Sequence, residues 1–278
     1  MDKCPSNQIR FLVKNKIDLD NPLASLSVTD TVASNDGATF LDFLRNRNNR
    51  SAWLTTDSDD SANTEIIAEL TDLRDLDTII LVKHNFAAYT LQYWDGVSAW
   101  VDFSTPIAVT GNADETTFHQ FDKVETSRIR LVIQGTIIPD TDKRMRQFII
   151  TENLLSGQLE GWPVIRRPRF NTQKKVTQSL SGKVSVTESI GGFSMELQVR
   201  NYGIDADLNI IEEIYTGRRG VLVWLSGGDD SKFRFRRIGY REEDIYLMRA
   251  INDYSPEWVR GVYQNGLRIT LRMSESLD

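Results

Sequence analysis

Along most of this chain apolar and polar residues alternate with a period of two, and helical spacing is scarce. "TIILVKHNF" (78–86) predicts a buried strand and "YTLQYW" (89–94) a second, with "NFAA" as the short connection. In "SRIRLVIQG" (127–135) Ile129, Leu131 and Ile133 fall on one face, and Arg128, Arg130 and Val132 on the other. "RQFIIT" (146–151) predicts the strand that closes this group. Turn residues punctuate the runs at short intervals, as in a sandwich or barrel.

"TENLLSGQLEGWPVIRRPR" (151–169) has two Gly, two Pro and no sustained period, which sets a domain boundary near residue 156. The expected domains are therefore 1–156, with a short N-terminal arm, and 157–278. In the second half, "KKVTQSLSGKVSVTES" (174–189) and "FSMELQVRNY" (193–202) predict two long strands joined through Gly191-Gly192. One helix is predicted over "DADLNIIEEIYTG" (205–217): Asp205 suits the N-cap, Leu208, Ile211, Ile214 and Tyr215 keep helical spacing, and Gly217 suits the position after the end. "GVLVWLSGG", "KFRFRRIGY", "DIYLMRAINDYS" and "NGLRITLRMSE" follow as strands. The lack of β-α-β alternation argues against a doubly wound fold.

Within "LQYWDGVSAWVDF" (91–103), Asp95-Gly96 suits a tight turn. Leu91 and Tyr93 share a face opposite Trp94; Trp100 and Asp102 share a face opposite Val101 and Phe103. Rings spread over both faces describe core and sheet covering better than a sugar platform. Trp94 and Trp100 are thus candidates for a face packed on a neighbouring subunit, as are Phe233 and Phe235 in the alternating "KFRFRR" (232–237).

Composition narrows the chemistry. At 278 residues, 40% hydrophobic and 26% charged, the chain has ordinary globular composition for two domains. Residues 1–156 carry 15 Lys+Arg against 23 Asp+Glu, and residues 157–278 carry 18 against 16, so neither half has a nucleic-acid-binding excess of charge. No apolar run of about 18 residues predicts a membrane span. The N-terminus lacks a secretory pattern, so synthesis in a cytoplasm is expected. The lone Cys4 leaves no intrachain disulfide.

No catalytic constellation emerges, and the expectation is a non-enzyme without cofactor or metal. His84 and His119 have no Ser, Cys or second His at useful spacing and read as structural. The acidic loop "TTDSDDSANTE" (55–65) offers Asp57, Asp59 and Asp60 as oxygen donors for calcium. It departs from the EF-hand pattern at Ala62 and Ala68, however, and reads better as a solvated turn. Acid pairs such as Glu242 with Glu243, or Asp57 with Asp59, would be needed for a glycan-active enzyme, and nothing sets them at facing positions.

"SLSVTDTVASNDGATFLDFLRNRNNRSAWLT" (25–55), "EIIAELTDLRDLDTIILVKHNF" (65–86), "YTLQYWDGVSAWVDF" (89–103) and "SRIRLVIQG…RQFIITE" follow one another in an order that resembles the discoidin (coagulation factor 5/8 type C) family of galactose-binding-like jelly rolls. The resemblance covers about residues 20–152 and lacks the cysteine pair of many extracellular members. It implies a glycan site on the loops at one sandwich end, with Trp53, Asp57 and Asp59 as candidates. The second half, through its long hairpin, "NIIEEIYTGRRGVLVWLSGG" and "DIYLMRAINDYSPEWVRGVYQNGLRITLRMSE", resembles the β domain of distal tail (baseplate hub) proteins of long-tailed bacteriophages. That implies a homo-oligomeric ring, a hexamer favoured, bound to tail-tube and tail-tip proteins in the virion tail.

The expected fold is mainly β: an N-terminal jelly-roll sandwich and a C-terminal antiparallel sandwich or barrel with one helix. Two functions are expected: a virion structural protein at the tail tip, or a module that reads host-surface glycans.

Overall fold

The computed structural model describes residues 8–19, 21, 24–30, 41–46, 51–55, 60–159, 164–166, 172–178, 184–190, 194–201, 205–215, 221–225, 245–251, 257–260 and 265–275. The described elements run β1 (Gln8–Leu12), β2 (Ser25–Asp30), a 3-10 turn at Asp42–Leu44, β3 (Trp53–Leu54), β4 (Thr64–Val82), β5 (Phe86–Trp94), β6 (Trp100–Val109), β7 (Thr117–Thr136), β8 (Arg144–Met145) and β9 (Gln147–Thr151). There follow β10 (Asn153–Leu159), β11 (Val164–Arg166), β12 (Thr172–Gln178), β13 (Val184–Ile190), β14 (Ser194–Asn201), the helix α1 (Asp205–Tyr215), β15 (Val221–Leu225), β16 (Ile245–Ala250), β17 (Glu257–Arg260) and β18 (Asn265–Glu275). The fold is mainly β with one α-helix among the described residues, as expected. It divides into two compact units, and among the described residues the chain passes between them at Phe11/Leu12 and at Asn153/Leu154.

In the first unit the sheet order is β2-β4-β7-β5-β6, with β9 on β4. β4 and β7 carry this architecture. The first part of β4 pairs β2 on one edge (Ser25↔Glu69 to Asp30↔Thr64), and its last part pairs β9 (Thr78↔Thr151 to Val82↔Gln147). Between them the β4–β7 register shifts twice, at Glu69/Arg74 and at Leu76/Thr78. Such bulges bend strands. Ile66 and Ala68 from before the bend and Ile79 and Leu81 from after it enter one core with Leu91, Phe103, Ile129, Leu131, Phe148 and Ile150.

β4 runs unbroken from Thr64 to Val82, its register shifts absorbing the stretch 71–75. One expectation for this unit is corrected. The strand expected through Phe86 ends at Val82, because Lys83 adopts a left-handed backbone (φ 54°) that takes the chain out of the sheet.

In the second unit β14, β10, β1, β15, β16 and β18 are neighbours in that order, and β18 also pairs β14 from Ser194↔Ser274 to Asn201↔Leu267. The sheet thus closes into a six-stranded barrel, with β11 and β17 as flanking strands. Its core includes Met195, Leu197, Val223, Met248, Leu271 and Met273, and Ile211, Ile214 and Tyr215 bury one face of α1. The Tyr215 hydroxyl donates to the Thr270 carbonyl, tying α1 to β18.

Two further corrections concern this unit. The N-terminal arm assigned to the first half is β1, a barrel strand of the second unit, so the sandwich is inserted between the adjacent strands β1 and β10. The single strand expected over 174–189 is a hairpin, β12 paired with β13 from Thr172↔Ile190 to Gln178↔Val184. The Ser-Leu-Ser-Gly stretch between its arms interrupts the alternation in sequence. The strand expected over 232–240 lies outside the described residues.

Candidate functional site

Of the sequence-predicted glycan residues Trp53, Asp57 and Asp59, only Trp53 lies among the described residues. Trp53 sits on the two-residue strand β3, paired with Met145 of β8. The period-two rule sends its indole inward and Leu54 outward, so Trp53 is 0% exposed and lies in the core. A ring with no exposed face cannot stack on a sugar, and Trp53 is removed from the candidate glycan site. Among the described residues its indole N–H has no hydrogen-bond partner. Asp57 and Asp59 lie outside the described residues, as do Phe233 and Phe235. Asp60 is committed structurally: its carboxylate accepts from the Thr136 N–H and hydroxyl and from the Asp140 N–H. No group of three metal-ligating side chains occurs among the described residues.

Trp94 and Trp100 are brought together. They are partners in the β5–β6 register across the Asp95 turn, and their rings meet edge to face at 5.4 Å. Asp95 builds that turn by accepting from the N–H groups of Val97, Ser98 and Ala99 at 2.8, 2.9 and 3.0 Å. These bonds hold its carboxyl below the usual range, since they favour the charged form. Alternation turns Tyr93 and Phe103 inward, where they pack at 5.3 Å, and leaves both tryptophans half-buried on the outer face.

Register places a polar row beside the rings that periodicity alone does not reveal. Arg130 of β7 faces Gln92 of β5, which in turn faces Asp102 of β6. The Arg130 guanidinium donates to the Gln92 Oε1 at 3.1 Å through Nε, and the Gln92 amide donates to the Asp102 carboxylate at 2.9 Å. Arg130 lies 4.8 Å from the Trp100 ring centre and Arg128 5.7 Å from that of Trp94, both within cation–π range. On the β4 side, Glu69 meets Arg128 at 3.1 Å and Glu65 meets Arg130 at 3.8 Å. Across the face the charge therefore runs from carboxylates on β4, through guanidiniums on β7 and aromatics on β5 and β6, to the exposed carboxylate of Asp102. Apolar rings flanked by fixed donors and acceptors can hold the C–H face of a polyol while satisfying its hydroxyls.

A second polar group is buried under the same sheet. His84 and His119, unrelated in sequence, belong to one hydrogen-bonded chain. His84 Nδ1 accepts from the Phe86 N–H, so its Nε2 carries the proton toward the Thr117 hydroxyl at 3.0 Å. The Tyr89 hydroxyl lies 2.9 Å from both Thr117 Oγ1 and His119 Nε2. Burial pushes His84 down to about 3 and His119 down to about 4, so both imidazoles are neutral near pH 7. Burial also pushes the Tyr89 hydroxyl up to about 12. With His84 fully buried and His119 9% exposed, this chain braces the interior. Lys143 is another buried polar group that the sequence did not flag: its amine donates to the Ala62 carbonyl at 2.7 Å and the Thr64 hydroxyl at 2.9 Å.

No protein-family model and no curated protein matches the chain. Among solved structures it is similar to the Ruminococcus gnavus GH29 fucosidase in complex with fucose (14% identity, TM-score 0.39, 50% of this chain and 26% of that one). It is also similar to CpGH89CBM32-6 of Clostridium perfringens (14%, 0.37, covering 50% and 98%). Chitosan-binding module 1 of the chitosanase/glucanase from Paenibacillus sp. IK-5 is a third (15%, 0.37, covering 47% and 97%). The chain thus spans about a quarter of the fucosidase and nearly all of each module.

Proposed function

We propose that the first unit is a non-catalytic carbohydrate-binding module of the galactose-binding-like kind, and that its outer sheet face is the binding surface. The observation that carries this reading is the Trp94–Trp100 pair set beside Gln92, Asp102 and Arg130 on one face. Aromatic rings supply the apolar platform, and the hydrogen-bonded row supplies fixed polar partners at its margin. The test is a titration of the whole protein against a panel of neutral, acidic and amino glycans, read by tryptophan fluorescence and calorimetry. Saturable binding that Trp100→Ala abolishes supports the reading. If no glycan binds, or if Trp94→Ala and Trp100→Ala leave binding unchanged, the reading fails.

A second reading, a ring-forming component of a bacteriophage tail, is favoured by the β12–β13 hairpin. Its two strands pair only with each other among the described residues. A lone two-stranded hairpin is marginal in water and presents free edges, which subunits in a ring would pair. In this reading the barrel forms the ring and the sandwich carries the glycan face. Light scattering of the intact protein and of a variant lacking residues 172–190 tests it: a closed oligomer that falls to monomer on deletion is the expected result.

A further inference from the structure

The geometry points to a ligand that carries a free, protonated amino group, seated with its ammonium against Asp102 and its ring on Trp100; this rests on the binding reading above. The two guanidiniums of the face already have carboxylate partners, Glu69 at 3.1 Å from Arg128 and Glu65 at 3.8 Å from Arg130. Asp102, by contrast, has only the neutral Gln92 amide, and among the described residues no cation pairs with it. It stands on β6, the edge strand of the sheet, two strands from Arg130. Gln92, which accepts from Arg130 and donates to Asp102, bridges the guanidinium and this carboxylate without a direct ion pair between them. Counted over the face, Arg128 and Arg130 stand against Glu65, Glu69 and Asp102, one negative charge in excess.

Arg128 over Trp94 and Arg130 over Trp100 each have a carboxylate of β4 as partner. With one carboxylate in excess, the face favours an ammonium at Asp102 and opposes a carboxylate or sulfate. The excess of acidic over basic residues in 1–156, 23 against 15, adds a long-range field of the same sign.

The test compares glucosamine oligomers with N-acetylglucosamine oligomers of matched length, at mildly acidic pH and low salt, by calorimetry on the full chain. These ligands share a backbone and differ in charge. Glucosamine oligomers are expected to bind more tightly, the advantage shrinking as salt is added. Asp102→Asn keeps an acceptor for Gln92 and is expected to weaken the glucosamine oligomers about five-fold more than the acetylated ones, the scale of an exposed ion pair. Equal affinity for the two oligomers, or indifference to Asp102→Asn, overturns the inference while leaving the binding reading intact if Trp100→Ala still abolishes both. Binding of acidic or neutral glycans alone also overturns it, and binding of none removes the underlying reading as well.

Discussion

At the scale of single residues, the buried imidazoles make stability depend on pH in a defined direction. His84 and His119 fall from 6.5 in a free chain to about 3 and about 4 in the fold. The unfolded chain therefore takes up protons first as pH drops. Their contribution is complete above about pH 6.5 and is lost as pH falls toward the folded values. Urea midpoints are expected to decline over that window, and a His84→Gln/His119→Gln double variant to show a flatter decline. An unchanged slope would mean that these groups are not the acid-sensitive ones. Trp53→Ala empties a core position and should cost about 3–5 kcal/mol, seen as a lowered melting temperature. Any loss of ligand binding in that variant would follow from unfolding, unlike the effect of Trp100→Ala, which should leave the melting temperature close to that of the parent.

At the scale of elements, the hairpin that presents the two tryptophans rests on its turn. Gly96 holds φ 84°, a conformation L side chains rarely adopt. Gly96→Ala meets no atom within 4 Å, so its cost of about 1 kcal/mol would be conformational alone. Asp95→Ala removes the acceptor for three backbone N–H groups, whereas Asp95→Asn keeps an acceptor oxygen. Amide hydrogen exchange at Val97, Ser98 and Ala99 should accelerate in the alanine variant and much less in the asparagine one. Equal protection in both would show that the strands, and not the side chain, hold the turn.

For the whole molecule, the insertion of the sandwich between two adjacent barrel strands gives the barrel a chain of its own. Because β1 and β10 are neighbours, a short turn can span the gap the sandwich now fills, and closing a short loop costs less entropy than closing a long one. Replacing residues 13–152 by a short Gly-containing turn is expected to leave a barrel that unfolds cooperatively, as followed by circular dichroism. A chain without a cooperative transition would show that the barrel needs the inserted unit to fold.

Much of this was written locally. Alternation in 127–135 put Ile129, Leu131 and Ile133 in the core and Arg128 and Arg130 outside, and helical spacing marked Asp205–Tyr215. Those are choices a strand or helix makes from its own periodicity, since side-chain direction follows from backbone geometry alone. What lies beside what was decided elsewhere. Trp53 went inward because β3 found β8; Trp94 and Trp100 gained Gln92, Asp102 and the arginines through cross-strand register; His84 met His119 only once Tyr89 lay between them. Barrel closure through β14–β18 and the recruitment of β1 likewise join segments far apart in the chain. The sequence by itself determined which face of each periodic strand and of the helix would turn inward. The tertiary structure decided which side chains would meet, because register and strand partnership are set by many weak contacts summed over the whole fold, and no local window contains that sum.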